Sequence, residues 1–332
     1  MKKELLVYSI VAPEDGSAGV TDPPCADHPE KGHRHVRAPA HLPRSVDVAV
    51  LGVAIAWGSS YLAAKTVVVP DAVFAFLVIR FALAAGGLAI VSAAGLRRIT
   101  VAELMSGVLF GVMLSVVFTL ETLGLTMTSA SNAGLIISLS MIMTPVFARS
   151  AAATRLPAAF YGSAVVAVAG VGLLTQTTGW TAPGLGDLLI LLAAAARAAH
   201  ITAIARLSRH RPLNPARVTL VQLCTGLVVF VALSHHTGRG LGPVAAHMST
   251  AAWLLTVYLA LVCTVVAFVV QAWAVRRTSP ARVSLLLGTE PLWAAGIGVL
   301  FAGDSLTAVG VGGAVLVLVG THWAEPSTPA GR

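Results

Sequence analysis

Six ionisable side chains stand inside long apolar runs: Lys65, Arg80, Glu121, Arg197, His200 and Glu290. At helix centre in hydrocarbon such a group costs about 2.5–3.5 kcal/mol, so it persists where it lines a wet cavity or meets a partner. Arg80 and Arg197 cannot shed their protons. Each calls for water, a carboxylate or an anion, and the planar guanidinium fork fits a substrate carboxylate or phosphate. A structural ion pair, Arg80 with Glu121 or Arg197 with Glu290, would meet the same need. Glu121 and Glu290 are the candidate proton carriers, because a carboxyl that loads a proton on one side and releases it on the other can drive a solute the opposite way. His200, close after Arg197, could relay protons near neutral pH or be a hydrogen-bonded interior histidine. Lys65 could line the cavity or snorkel to the headgroups.

The elements that must position these groups follow from composition. The chain has 332 residues, of which 56% are hydrophobic and only 11% charged, with mean hydropathy +0.84. That is too little charge for a soluble surface and marks a polytopic membrane protein. Apolar runs near the length of about 20 residues that a bilayer requires recur from residue 48 to residue 323 and predict ten transmembrane helices. Ahead of them, residues 1–45 form a polar tail rich in Pro, Asp, Glu and His, read as disordered and cytoplasmic. His28, His33, His35 and His41 lack ligand spacing, so no metal is expected. Cys25 lies in this tail, and Cys224 and Cys263 read as small buried hydrophobes.

Basic residues cluster in alternate loops: Arg97 and Arg98, Arg149 and Arg155, Arg206 to Arg217, and Arg276 to Arg282, against Arg239 alone on the other side. This places both termini in the cytoplasm. It also uses the net charge of +8 for topology, which excludes nucleic acid as a partner. The membrane lipid is the partner the composition demands.

One stretch occurs twice. Glu121 precedes Thr128-Ser129 at the same interval as Gln271 precedes Thr278-Ser279, and a proline follows each pair, Pro145 and Pro291. Pro291 comes sooner after its pair by about four residues, one helical turn. Prolines inside both copies bend their helices and are candidate hinges, or fixed kinks. Five spans separate equivalent helices, so the two copies run in opposite directions through the membrane. The fold class predicted is all-α, ten helices as a 5+5 inverted-topology repeat, with a first five-helix unit at 46–178, a second at 179–324 and a short tail at 325–332. Inverted repeats place a substrate site near the bilayer midplane, between the halves.

WGSSYLAAK at 57–65, TSASNAG at 128–134, Gly186-Asp187, RRTSPAR at 276–282 and Glu290-Pro291, in this order, resemble the EamA-type family of the drug/metabolite transporter superfamily. The resemblance covers about residues 46–324. It implies a central cavity lined by spans one to four and six to nine, and export of small metabolites or drugs. Within these motifs and the spans around them, Trp57, Ser60, Tyr61, Lys65, Arg80, Asn132, Arg197, His200 and Trp273 are the substrate-binding candidates. Ser59 and Ser60 beside Gly58 also suit close helix packing, and Trp57 could stack on a substrate or simply pack. Glu121 departs from the amide that such sequences often carry there.

The expected function is a secondary active transporter in the cell membrane, exporting an amino acid or related metabolite by alternating access with proton coupling. A multidrug or lipophilic-cation exporter is the alternative. No HExxH or GxSxG supports a membrane enzyme, and no ring of like charge or carbonyl filter supports a channel. The glycine-rich run 310–320 lies in an apolar span without a preceding strand, so no nucleotide cofactor is expected. It suits close packing, as in a homodimer.

Overall fold

The structure is a computed structural model and describes residues 44–92, 98–140, 184–210, 213–236, 238–277, 286–303 and 307–323, with individual residues between 143 and 173 and Val283. Among the described residues every regular element is helical. In chain order these are α1 (Arg44–Val67), a 3-10 turn (Pro70–Ala72), α2 (Val73–Ser92), α3 (Val101–Leu125), α4 (Ala130–Ile137), α5 (Leu185–His210), α6 (Pro215–His236), the short α7 (Leu241–His247), α8 (Thr250–Val257), a π-helical stretch (Tyr258–Val266), α9 (Ala267–Arg277), α10 (Glu290–Ala302) and α11 (Ala308–Trp323). Among the described residues six helical runs are long and apolar enough to cross a membrane, and α10 and α11 are shorter apolar helices. The chain is a multi-pass membrane protein, and side chains such as Ile90, Leu300 and Phe301 face outward in the manner of a lipid-exposed surface.

Local chemistry starts and stops these helices. Thr100 and Glu103 form a reciprocal capping box on α3, while Ser129 and Ser249 accept bonds from the Asn132 and Ala252 N–H groups at the starts of α4 and α8. Each satisfies a donor that the helix itself cannot. Gly303, at φ 69°, ends α10 in the left-handed conformation.

The hydrogen bonds at the helix ends establish which ends lie together. At one end, Lys65 donates to the Thr128 carbonyl, Thr128 Oγ1 to Asp187 Oδ1 at 2.5 Å, and Arg239 contacts Asp71. At the other, Arg217 meets Glu103, and Arg206 donates to the Phe147 carbonyl. These are called here the Lys65 end and the Glu103 end. Helix α1 begins at the Glu103 end, whereas α5 begins at the Lys65 end.

Packing between the halves follows a matching rule. Helix α3 packs on α5 and α6, as the rod through α8, the π stretch and α9 packs on α1 and α2. Across the halves α1 also packs on α10, α4 on α5 and α10, and α2 on α6, the last pair being equivalent helices of the two copies. At the α1–α10 crossing a Cβ on Gly58 would stand 2.7 Å from the Trp293 Cβ and 2.8 Å from the Ala294 nitrogen. Only glycine permits that approach.

Both copies of the repeated stretch are interrupted. The turn Ser138–Leu139 follows α4, and Gly288–Thr289 precedes α10. The Leu139 N–H donates to the Ile136 carbonyl at 3.1 Å and the Thr289 N–H to the Leu286 carbonyl at 3.2 Å, the same short bond at equivalent positions. Measured from the Thr-Ser pairs, the two breaks fall at one interval, so the copies run without a gap through the break. This register sets Pro291 opposite Met141 and corrects the matching of Pro291 with Pro145. Pro291 occupies the first turn of α10, where a missing N–H costs nothing. Pro145 lies outside the described residues, as does the Thr278-Ser279 pair. The glycine-rich α11 finds a partner within the chain: a Cβ on Gly170 would meet the Val317 nitrogen at 2.6 Å and the Gly313 carbonyl at 2.7 Å.

Candidate substrate site

A buried and a half-buried glutamate and a buried and a half-buried arginine converge between the halves. Glu121 on α3 accepts from Arg197 Nη2 on α5 at 2.6 Å. Glu290, at the start of α10, is 7% exposed and accepts from the Tyr61 hydroxyl on α1 at 2.9 Å. The two pairs act on each other: Arg197 and Glu121 both exert Coulombic effects on Tyr61 and Glu290. Arg80 on α2 lies within the field of Glu121, Arg197, Tyr61 and Cys263. Five helices from both halves therefore contribute to one charged cluster, and neither half holds it alone.

The pairing differs from both pairs the sequence suggests. Arg197 binds Glu121, not Glu290, and Arg80 has no carboxylate at bonding distance among the described residues. Arg80 is 8% exposed, its Nε has no hydrogen-bond partner, and its guanidinium lies 4.8 Å from the centre of the Phe118 ring. Phe118 in turn meets Phe81 edge-on, and Phe81 meets Phe230 in the same way. Such a wall is apolar and stiff.

The π-helical stretch forms another side. Trp57 donates its indole N–H to the Cys263 carbonyl at 2.8 Å, and the Cys263 thiol faces the Ala56 carbonyl at 3.3 Å. Ser59 shares a 2.6 Å hydrogen bond with the Tyr258 hydroxyl. Widened helical turns of this kind recur at functional sites. Here the turn seats Trp57 by its polar edge, with Phe268 against its ring.

The other candidates are distributed around this centre. Ser60 donates to the Trp57 carbonyl within its own helix. Asn132 is buried at the start of α4, its backbone N–H engaged by the Ser129 cap. Lys65 is held at the Lys65 end by Thr128. Trp273 stacks with Arg277, 5.1 Å from guanidinium to ring centre, in a separate cluster with α1. His200 is buried edge-on against Phe110 of α3, with Nε2 unpartnered among the described residues. Sequence reasoning missed Phe118, Tyr258 and the backbone of Cys263. Nothing in the local sequence announces a π turn, and an aromatic in an apolar span reads as packing.

A charged cluster shared by two matching halves of an all-helical, multi-pass membrane protein defines a membrane transporter. The chain belongs to the EamA-like transporter family, in the drug/metabolite transporter superfamily, whose model matches residues 44–176 and again 184–324. One solved crystal structure is similar at a TM-score of 0.59 and 18% identity, covering 85% of this chain and 96% of its own, a likeness of fold alone. Among curated proteins none matches.

Proposed function

We propose that the protein is a secondary carrier that exports a small metabolite, an amino acid or related compound, across the cell membrane by alternating access coupled to protons. The observation that carries this reading is the sharing of one charged cluster between the halves. Rocking one half against the other would expose that cluster to each side in turn. In this reading the chain crosses ten times, five per half with opposite orientation. Support comes from Phe147, tied to the Glu103 end, and Asp187, tied to the Lys65 end, opposite ends that a crossing between them would join. The arginine-rich Glu103 end is then cytoplasmic, as are both termini.

Glu290 is the proton carrier of this scheme. It is the buried acid whose bonded partner is a neutral hydroxyl, whereas Glu121 is committed to Arg197. Protonation of Glu290 would release the Tyr61 hydroxyl from its carboxylate and change the charge that the solute meets. The paired breaks in the α4 and α10 regions, with Pro291 beside one of them and Pro145 further along the other copy, supply the bending points. The test is flux into proteoliposomes of the full chain. Saturable counterflow and gradient-driven accumulation are expected of the wild type. Glu290→Gln should keep exchange but lose acceleration by a proton gradient by tenfold or more. Flux that rises linearly with solute, or a Glu290→Gln protein with undiminished proton dependence, would contradict the scheme.

A further inference from the structure

Three of the charged groups in the cluster have bonded partners, and among the described residues Arg80 has none. Arg197 is neutralised by Glu121 at 2.6 Å, and Glu290 is bonded by Tyr61. A guanidinium that is 8% exposed, with an unpartnered Nε, is an incomplete arrangement in a membrane interior, because its charge cannot be removed by deprotonation.

We propose that Arg80 is the seat of a carboxylate on the transported solute, and that this solute carries a single anionic group on an apolar body. The Arg80 guanidinium carbon lies over the Phe118 ring, a contact that uses no N–H as a conventional hydrogen-bond donor to oxygen, so the parallel pair of bonds a carboxylate accepts is still to be made. With Glu290 protonated, Arg80 and Arg197 against Glu121 leave one positive charge, and one carboxylate on the solute balances it. A dicarboxylate or a phosphate dianion would bring a second negative charge into a cluster that already holds Glu121 and Glu290. The Phe81, Phe118 and Phe230 rings provide an apolar wall beside the seat. The proposal rests on the carrier reading for the movement of the solute, but the seat itself is a binding site that equilibrium measurements detect.

The experiment uses the full chain in lipid nanodiscs and five probes: leucine, 4-methyl-2-oxopentanoate, malate, inorganic phosphate and tetraphenylphosphonium. Ligand-induced thermal stabilisation is titrated for the wild type, Arg80→Lys and Phe118→Leu. Leucine or 4-methyl-2-oxopentanoate is expected to bind saturably and more tightly than the other three. Arg80→Lys, which keeps the charge and loses the fork, should weaken that binding at least tenfold. Phe118→Leu, which leaves the charge intact, should weaken it about threefold, in line with the energy of a partly exposed to desolvated cation–π contact. The wild-type ranking decides the solute class even where a variant folds poorly. No binding of either monocarboxylate, a preference for malate, phosphate or tetraphenylphosphonium, or equal binding by Arg80→Lys overturns the assignment. Saturable counterflow of tetraphenylphosphonium would keep the carrier reading and remove the seat, whereas carboxylate binding without saturable flux would do the reverse.

Discussion

The two ends of the molecule are tied by equivalent contacts built from different material. At the Lys65 end, Asp71 at the start of α2 holds the loop after α6: Arg239 donates its backbone N–H to the Asp71 carbonyl at 2.6 Å and its Nε to the carboxylate at 2.6 Å. At the Glu103 end, Arg217 at the start of α6 holds the loop after α2, donating to the Arg98 carbonyl at 2.9 Å. Exchange of the halves turns one contact into the other. Burial separates them. The Asp71 and Arg239 side chains are 49% and 66% exposed, whereas the Glu103 side chain is 3% exposed. Glu103 also accepts from the Thr100 N–H at 2.8 Å and the Asn214 N–H at 3.1 Å. Duplication supplied the same tie twice, and at the Glu103 end alone a buried carboxylate, Glu103, reinforces it.

The energetic consequence follows from solvent. An exposed ion pair is worth about 0–1 kcal/mol, since water and salt compete for both partners. Removal of one member of a buried, multiply bonded set costs about 3–5 kcal/mol, because the remaining donors lose their acceptor where water cannot replace it. The Lys65 end is therefore the one that can part at small cost, a property that the proposed alternating access would require of a gate. The Thr128–Asp187 bond and the Lys65 contact add to the closure of that end.

Substitutions can break this comparison or sharpen it. The largest effect is expected from Glu103→Ala, a loss of about 3–5 kcal/mol in reversible unfolding from mixed micelles, with Glu103→Gln losing less because an amide oxygen still accepts from one N–H. Gly238→Val comes next. Gly238 sits at φ 76° with the Asp71 carbonyl directly where a Cβ would go, so a loss of at least about 1–2 kcal/mol from the left-handed backbone alone is expected. The smallest effect is expected from Asp71→Asn, under about 1 kcal/mol and diminished further by salt. Equal losses from Glu103→Ala and Asp71→Asn would end the argument that burial distinguishes the two ends.

The functional centre presents the same contrast between paired and unpaired charge. Every candidate there, Arg80, Glu121, Arg197 and Glu290, is visible in the sequence, since ionisable groups in apolar runs are rare and costly. Their partners are not visible. Arg197 and Glu121 are one ion pair because α3 and α5 turn those faces toward each other, and Tyr61 reaches Glu290 because Gly58 lets α1 approach α10. Spacing along a helix gives depth and face, but the neighbour that meets a face depends on rotation and crossing of whole helices. His200 illustrates the point. About one turn from Arg197, it packs edge-on against Phe110 of α3.

By itself, the sequence determined the solvent, the helical class, the duplication and the set of charged groups, because each of these depends on composition and on periods a few residues long. The family, too, was legible in the order of its short motifs. Tertiary structure decided the register of the two breaks, the π turn that seats Trp57, the crossed pairing of the charges and the isolation of Arg80. These depend on contacts between residues far apart in the chain, such as Trp57 with Cys263 and Tyr61 with Glu290, and no local period records them.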